Sequence, residues 1–144
     1  MLLLKNFTIT NIFRPCPRAA FGYSQYGNSG FLFGGRSQPP GRLNDLYHFC
    51  LENYVWTEIK PTGSVPPRRS WLTLTAGYKT MLLIGGLGAS DETCPDVWTF
   101  DIPKVQGEIR KQPNKSVIEF KNLWKKCSNN FKSPSWSACP QVIL

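Results

Sequence analysis

The chain has 144 residues, enough for one domain, and its 41% hydrophobic and 18% charged content is that of a globular protein. The net charge is +8, and no run approaches the ~18 apolar residues of a membrane span. Aromatic residues at 13%, with 12 Gly and 12 Pro, favour many short strands and turns and exclude a bundle of long helices.

Residues 1–14 form a non-repeat N-terminus. Met1 to Leu4 is apolar but meets Lys5, too short for a signal-peptide core. A first unit, residues 15–60, opens with Pro15-Cys16-Pro17-Arg18. Ala19 to Ser24 predicts a strand, Gln25 to Gly30 a turn, and Phe31-Leu32-Phe33 a fully apolar strand of a sheet covered on both faces. Gly34-Gly35 ends that strand, and the bare glycines let a neighbouring aromatic ring lie against the main chain. After a loop at Ser37 to Gly41, Asp45 to Leu51 and Val55 to Ile59 predict two more strands.

A second unit, residues 61–127, repeats the scheme after a Pro-rich connection. Ser70 to Ala76, Met81 to Ile84 and Val97 to Ile102 are its predicted strands. Its fourth-strand tryptophan, due near Gly107, stands instead at Trp124, so about 104–120 reads as an insertion, either one tolerated in a surface hairpin or the mark of a frame or splice irregularity. Residues 128–144 read as the start of a third repeat, with an opening strand at Ser133 to Cys139.

The two units are in strict register. Arg18 and Arg69, Gly34-Gly35 and Gly85-Gly86, Asp45 and Asp96, and Tyr47 and Trp98 all stand 51 residues apart. One supersecondary unit is therefore repeated. The predicted fold is all-β: a partial β-propeller with about two four-stranded blades plus part of a third. Closing such a ring takes about four to eight blades, which implies a truncated product or assembly with other chains.

Charge and cysteines narrow the function. Residues 103–144 hold eight Lys and Arg against Glu108 and Glu119. Without a groove-reading motif this basic stretch reads as solvated surface, and nucleic acid is not an expected partner. Five cysteines and one histidine, His48, form no zinc constellation, so no metal and no cofactor is expected. The cysteines fit reduced, mostly buried thiols of an intracellular protein, in the nucleus, the cytoplasm or both. No membrane association is expected. Gly85-Gly86-Leu87-Gly88-Ala89-Ser90 lacks the lysine of a phosphate loop, and one histidine supports no catalytic set, so the chain is not read as an enzyme. His48, Trp56, Trp98, Trp124 and Tyr47 are assigned to packing, and Arg18 and Arg69 to structural roles between blades.

Gly-Gly after an apolar strand, then two spaced aromatics, resembles the kelch repeat: Gly34-Gly35 with Tyr47 and Trp56, Gly85-Gly86 with Trp98 and Trp124. Phe33-Gly34-Gly35-Arg36, Arg42-Leu43-Asn44-Asp45-Leu46-Tyr47 and Arg69-Ser70-Trp71-Leu72-Thr73-Leu74 narrow the likeness to the subgroup of kelch domain-containing proteins 1 and 2. Leu72 stands where that subgroup has histidine. The resemblance implies a substrate receptor of a cullin–RING ubiquitin ligase that takes proteins ending in Gly-Gly. It implies that Arg36, Arg42 and Ser70 hold the terminal carboxylate and Trp71 walls the pocket, and that ligase adaptors are partners. Arginine suits this chemistry, since its planar fork stays charged and bonds a carboxylate strongly. The alternatives are a general kelch interaction scaffold or a non-functional truncated isoform.

Overall fold

The computed structural model describes residues 13–127, so the opening strand expected at Ser133 to Cys139 lies outside the described residues. Two sheets stand face to face. The first holds β1 (Gly22–Tyr26), β2 (Ser29–Ser37), β3 (Gly41–Cys50) and β4 (Val55–Thr62), paired in chain order. β5 (Arg69–Ser70) pairs with β8 (Leu87–Gly88) in a small ribbon. The second sheet holds β6 (Thr73–Gly77), β7 (Thr80–Ile84), β9 (Val97–Asp101) and β11 (Lys125–Lys126), in the order β11-β9-β7-β6. The architecture is the expected all-β one, two blades of a partial propeller.

Alternation builds the core. Phe31 and Phe33 share one face of β2, Leu46 and Ile59 continue that face on β3 and β4, and all four are buried. They meet Leu74, Met81, Leu83, Trp98 and Phe100 of the second sheet in one cluster. Each such side chain contributes about 1.5–3 kcal/mol when fully removed from water. Trp124 packs edge-on against Phe33 and Phe100, with ring centroids 5.4 and 4.9 Å apart, and so sits between the sheets. It lies just ahead of the two-residue β11, not within a full fourth strand.

Gly34-Gly35 does not end its strand. β2 continues through a bulge there and pairs on to Ser37, opposite Gly41. The space left by the missing side chains is filled mainly by main chain. A Cβ on Gly34 would meet the carbonyl oxygens of Arg69 and Leu43, and one on Gly86 would stand 2.7 Å from Ser70 O. Phe21, beside Gly35, is the only aromatic among the nearest neighbours of these four glycines. The strand expected over Ser70 to Ala76 is broken at Trp71, whose φ is 58°.

The insertion at about 104–120 takes the form of a helix and a strand, not of a surface hairpin. Helix α1 (Ile102–Lys111) starts where the Asp101 carboxylate caps Lys104 N–H at 3.0 Å, with proline in the first turn. Ile102 and Val105 are buried against the sheets, and Arg110 and Lys111 sit at the C-terminal end of the dipole. β10 (Val117–Lys121) then crosses back and pairs parallel with β4, giving the first sheet five strands where four were expected.

The four described cysteines are free thiols, but the burial expected of them is not found. Cys16 is exposed and Cys50, Cys94 and Cys127 are half-buried, so none of the four described cysteines is a core residue.

Candidate functional site

The repeat places two identical clamps. Arg18 donates to both oxygens of Asp45, at 2.5 and 2.8 Å, and to Gly34 O at 3.0 Å. Arg69, 51 residues on, donates to both oxygens of Asp96, at 2.6 and 3.0 Å, and to Gly85 O at 3.2 Å. Each arginine also bonds back to a carbonyl two residues earlier, Cys16 O or Pro67 O. Their role is structural, but within one unit rather than between blades: each clamp ties the entry of a unit to its Gly-Gly pair and to the acid at or just before its third strand. Arg69 is fully buried, and burial of such a cation is tolerable only because every bond is charge-assisted or goes to a carbonyl. Burial pushes the Asp96 carboxyl up, but the Arg69 fork and the Trp98 indole N–H, 2.6 Å away, hold it down at about 2. Arg18 also lies 5.4 Å over the Tyr47 ring, whose phenol burial pushes up to about 12.

Next to the second clamp stand Arg42 and Ser70. Arg42 Nε donates to Ser70 Oγ at 2.7 Å, and Nη1 donates to Gly88 O at 2.7 Å. Nη2 meets the Asp91 carboxylate at 2.5 Å. Ser70 is completely buried in the β5–β8 ribbon, opposite Leu87. The Arg42 side chain is 9% exposed, so the guanidinium is sheltered but reachable.

Arg36 stands directly across from Arg42 in the β2–β3 register. Cross-strand partners share a face, with Cβ atoms about 4.5–5.5 Å apart, and like charges there repel. Arg36 is exposed, and its side chain makes no hydrogen bond among the described residues. Trp71, next to Ser70, is 74% exposed. Its left-handed backbone is held by its own N–H donating to Ala20 O at 2.8 Å, and Ala20 is its counterpart one repeat earlier, at φ 54°. A bulky residue held at positive φ carries strain, which here turns the indole outward. The structure thus joins Arg42 to Ser70, with Trp71 adjacent in sequence and Arg36 opposite on the neighbouring strand. Asp91 was not singled out from the sequence. Its only signal was its position in the short polar turn after the second Gly-Gly.

A concavity of about 400 Å³ opens at the other end of β2 and β3, beside α1. It is lined by Ser29, His48, Thr57 and Gln106 among others. His48 is buried and shares a 2.8 Å hydrogen bond with Ser29, which also accepts from Gln106 at 3.0 Å. Burial lowers the imidazole to about 4, so it is neutral at ordinary pH.

This geometry can be set beside known proteins. Residues 5–119 match the family model of the KLHDC2/KLHL20/DRC7 Kelch-repeats domain. The chain belongs to the kelch-repeat family. It is 40% identical to Kelch domain-containing protein 2 of Bos taurus over 91 residues, and 42% identical to Kelch domain-containing protein 1 of Mus musculus over 90. Those matches cover 62% and 61% of this chain and 22% of each relative. Host cell factor of Drosophila melanogaster is 30% identical over 120 residues, covering 65% of the chain and 8% of that protein. The chain thus spans about a fifth of the kelch domain-containing relatives it matches. As a kelch-repeat domain it is a protein-interaction module. Among the described residues no helix is long and apolar enough to cross a membrane, and no group of side chains could hold a metal ion.

Proposed function

We propose that this kelch module recognises the free carboxylate of polypeptides ending in Gly-Gly, as the substrate-selecting part of a cullin–RING ubiquitin ligase in the nucleus or cytoplasm. The observation that carries the reading is the Arg42–Ser70 contact, a sheltered guanidinium bonded through Nε to a buried hydroxyl. Ser70 accepts in that bond, so its own O–H proton is free to donate to an incoming carboxylate. Arg42 keeps unused N–H groups beyond its three contacts. Arg36 brings a second cation to the same face, where an anion would relieve the repulsion between the two arginines. Glycines carry no Cβ, so the last two residues of such a chain can lie flat against the exposed Trp71 ring. A larger terminal side chain would be excluded by shape.

A peptide ending in Gly-Gly with a free carboxylate should bind, and the same peptide with an amidated end should not. Equal affinity for the two would reject the reading. A cullin adaptor retained by the chain in co-purification, independently of the peptide, would support the ligase role.

A further inference from the structure

The Arg42 guanidinium already holds a carboxylate, that of Asp91. Resting on the function proposed above, we infer that Asp91 is a built-in competitor, which occupies the place of the ligand's terminal carboxylate and sets the affinity threshold of the site. Three comparisons within the molecule point to this role.

Asp45 and Asp96 each give both oxygens to an arginine, and their side chains are 24% and 13% exposed. Asp91 gives one oxygen and is 78% exposed. The first two are locks, whereas Asp91 holds the sheltered Arg42 through one oxygen and, being mostly in solvent itself, can turn away to water.

The other two partners of Arg42 are fixed. Ser70 and Gly88 both belong to the β5–β8 ribbon and both are buried, so the guanidinium stays aimed when Asp91 leaves.

The turn that carries Asp91 is held by its own main chain. Gly88 N–H donates to Glu92 O at 2.8 Å and Asp91 N–H to Gly88 O at 3.1 Å. Asp91 adopts φ 63°, a conformation that Asn tolerates equally. Asp91→Asn therefore removes the competing charge without removing the turn.

The test measures fluorescence anisotropy of a labelled peptide ending in Gly-Gly, free acid and amide, on the full chain and on D91N. The expected result is that D91N binds the free acid several-fold to tenfold more tightly and gains nothing for the amide. Its melting temperature should match the parent's. If D91N binds the acid equally or more weakly while the parent still prefers acid over amide, Asp91 is a positioning residue for Arg42 and the inference is overturned with the function intact. If both proteins bind acid and amide alike, the carboxylate reading itself fails and the inference fails with it.

Discussion

Arg69 closes both ends of its guanidinium on Asp96 while its Nη1 reaches Gly85 O, and Arg18 makes the same three contacts to Asp45 and Gly34. The two grips differ in depth. The Asp45 side chain is 24% exposed and the Asp96 side chain 13%. Arg69→Met leaves a sheltered charge and a carbonyl without their donor, and should destabilise by about 3–5 kcal/mol. Arg18→Met should cost less, because Asp45 can turn to water. Urea melts of the two variants check the order, and equal losses would contradict it.

Acid should lower the stability of the fold in two steps along the pH scale. His48 stays neutral in the folded state down to about 4 but takes a proton near 6.5 when unfolded. Unfolded chains therefore bind more protons in that window, and stability falls as pH drops from about 6.5 to 4. Asp96 acts lower: held at about 2 when folded against 3.8 otherwise, it stabilises above its ordinary value and loses that contribution as pH falls toward 2. His48→Gln keeps a partner for Ser29 and should abolish the first step only. Chemical melts across pH 7 to 2 resolve the two, and an unchanged upper step in H48Q would contradict the assignment.

The β6–β7 hairpin turns on Tyr78 and Lys79, at φ 49° and 66°, between Gly77 and Thr80. Two positive φ values make a type I′ turn, which Asn-Gly suits far better than Tyr-Lys. Tyr78 is fully exposed, so it has no packing to lose. Y78N/K79G should stabilise by about 1–2 kcal/mol, read as a rise of several degrees in Tm. A fall in Tm would show that the tyrosine packs in solution.

If Arg42 takes the terminal carboxylate, Arg42→Ala should weaken binding of a Gly-Gly peptide by about 2–5 kcal/mol. Arg42→Lys should recover little, since an ammonium cannot bond Ser70, Gly88 and a ligand in one plane. Ser70→Ala should cost about 1 kcal/mol of binding, the loss of one hydrogen bond. Calorimetry with the free-acid peptide separates these cases, and full activity of R42K would argue for a diffuse charge effect.

Repetition made most of the fold legible in the sequence. The spacing of Arg18 and Arg69, Asp45 and Asp96, and the glycine pairs marked two copies of one unit, and the apolar runs Phe31 to Phe33 and Met81 to Ile84 read as strands, within which Phe31, Phe33, Met81 and Leu83 are buried. The partnership of each repeated Arg with each repeated Asp is not legible from spacing alone, because spacing gives register without direction. The segment after Asp101 had no second copy to be compared with. Its helix could have been found from the Asp101 cap, the following Pro103 and the apolar Ile102, Val105 and Ile109. The return of β10 to β4 could not, since parallel pairing is long-range and leaves no local mark. At the site, Ser70 and Arg42 were foreseen as neighbours and Asp91 was not, because an exposed acid in a polar turn looks like any solvated residue.

β10 has one more effect on how the molecule holds together. The backbone leaves the first sheet at Thr62, builds most of the second, and comes back at Val117 to bond along the strand it left. The two units are stitched, not beaded. Neither can come apart without unpicking a seam in the other, so the pair melts as one body even though its sequence is written as two.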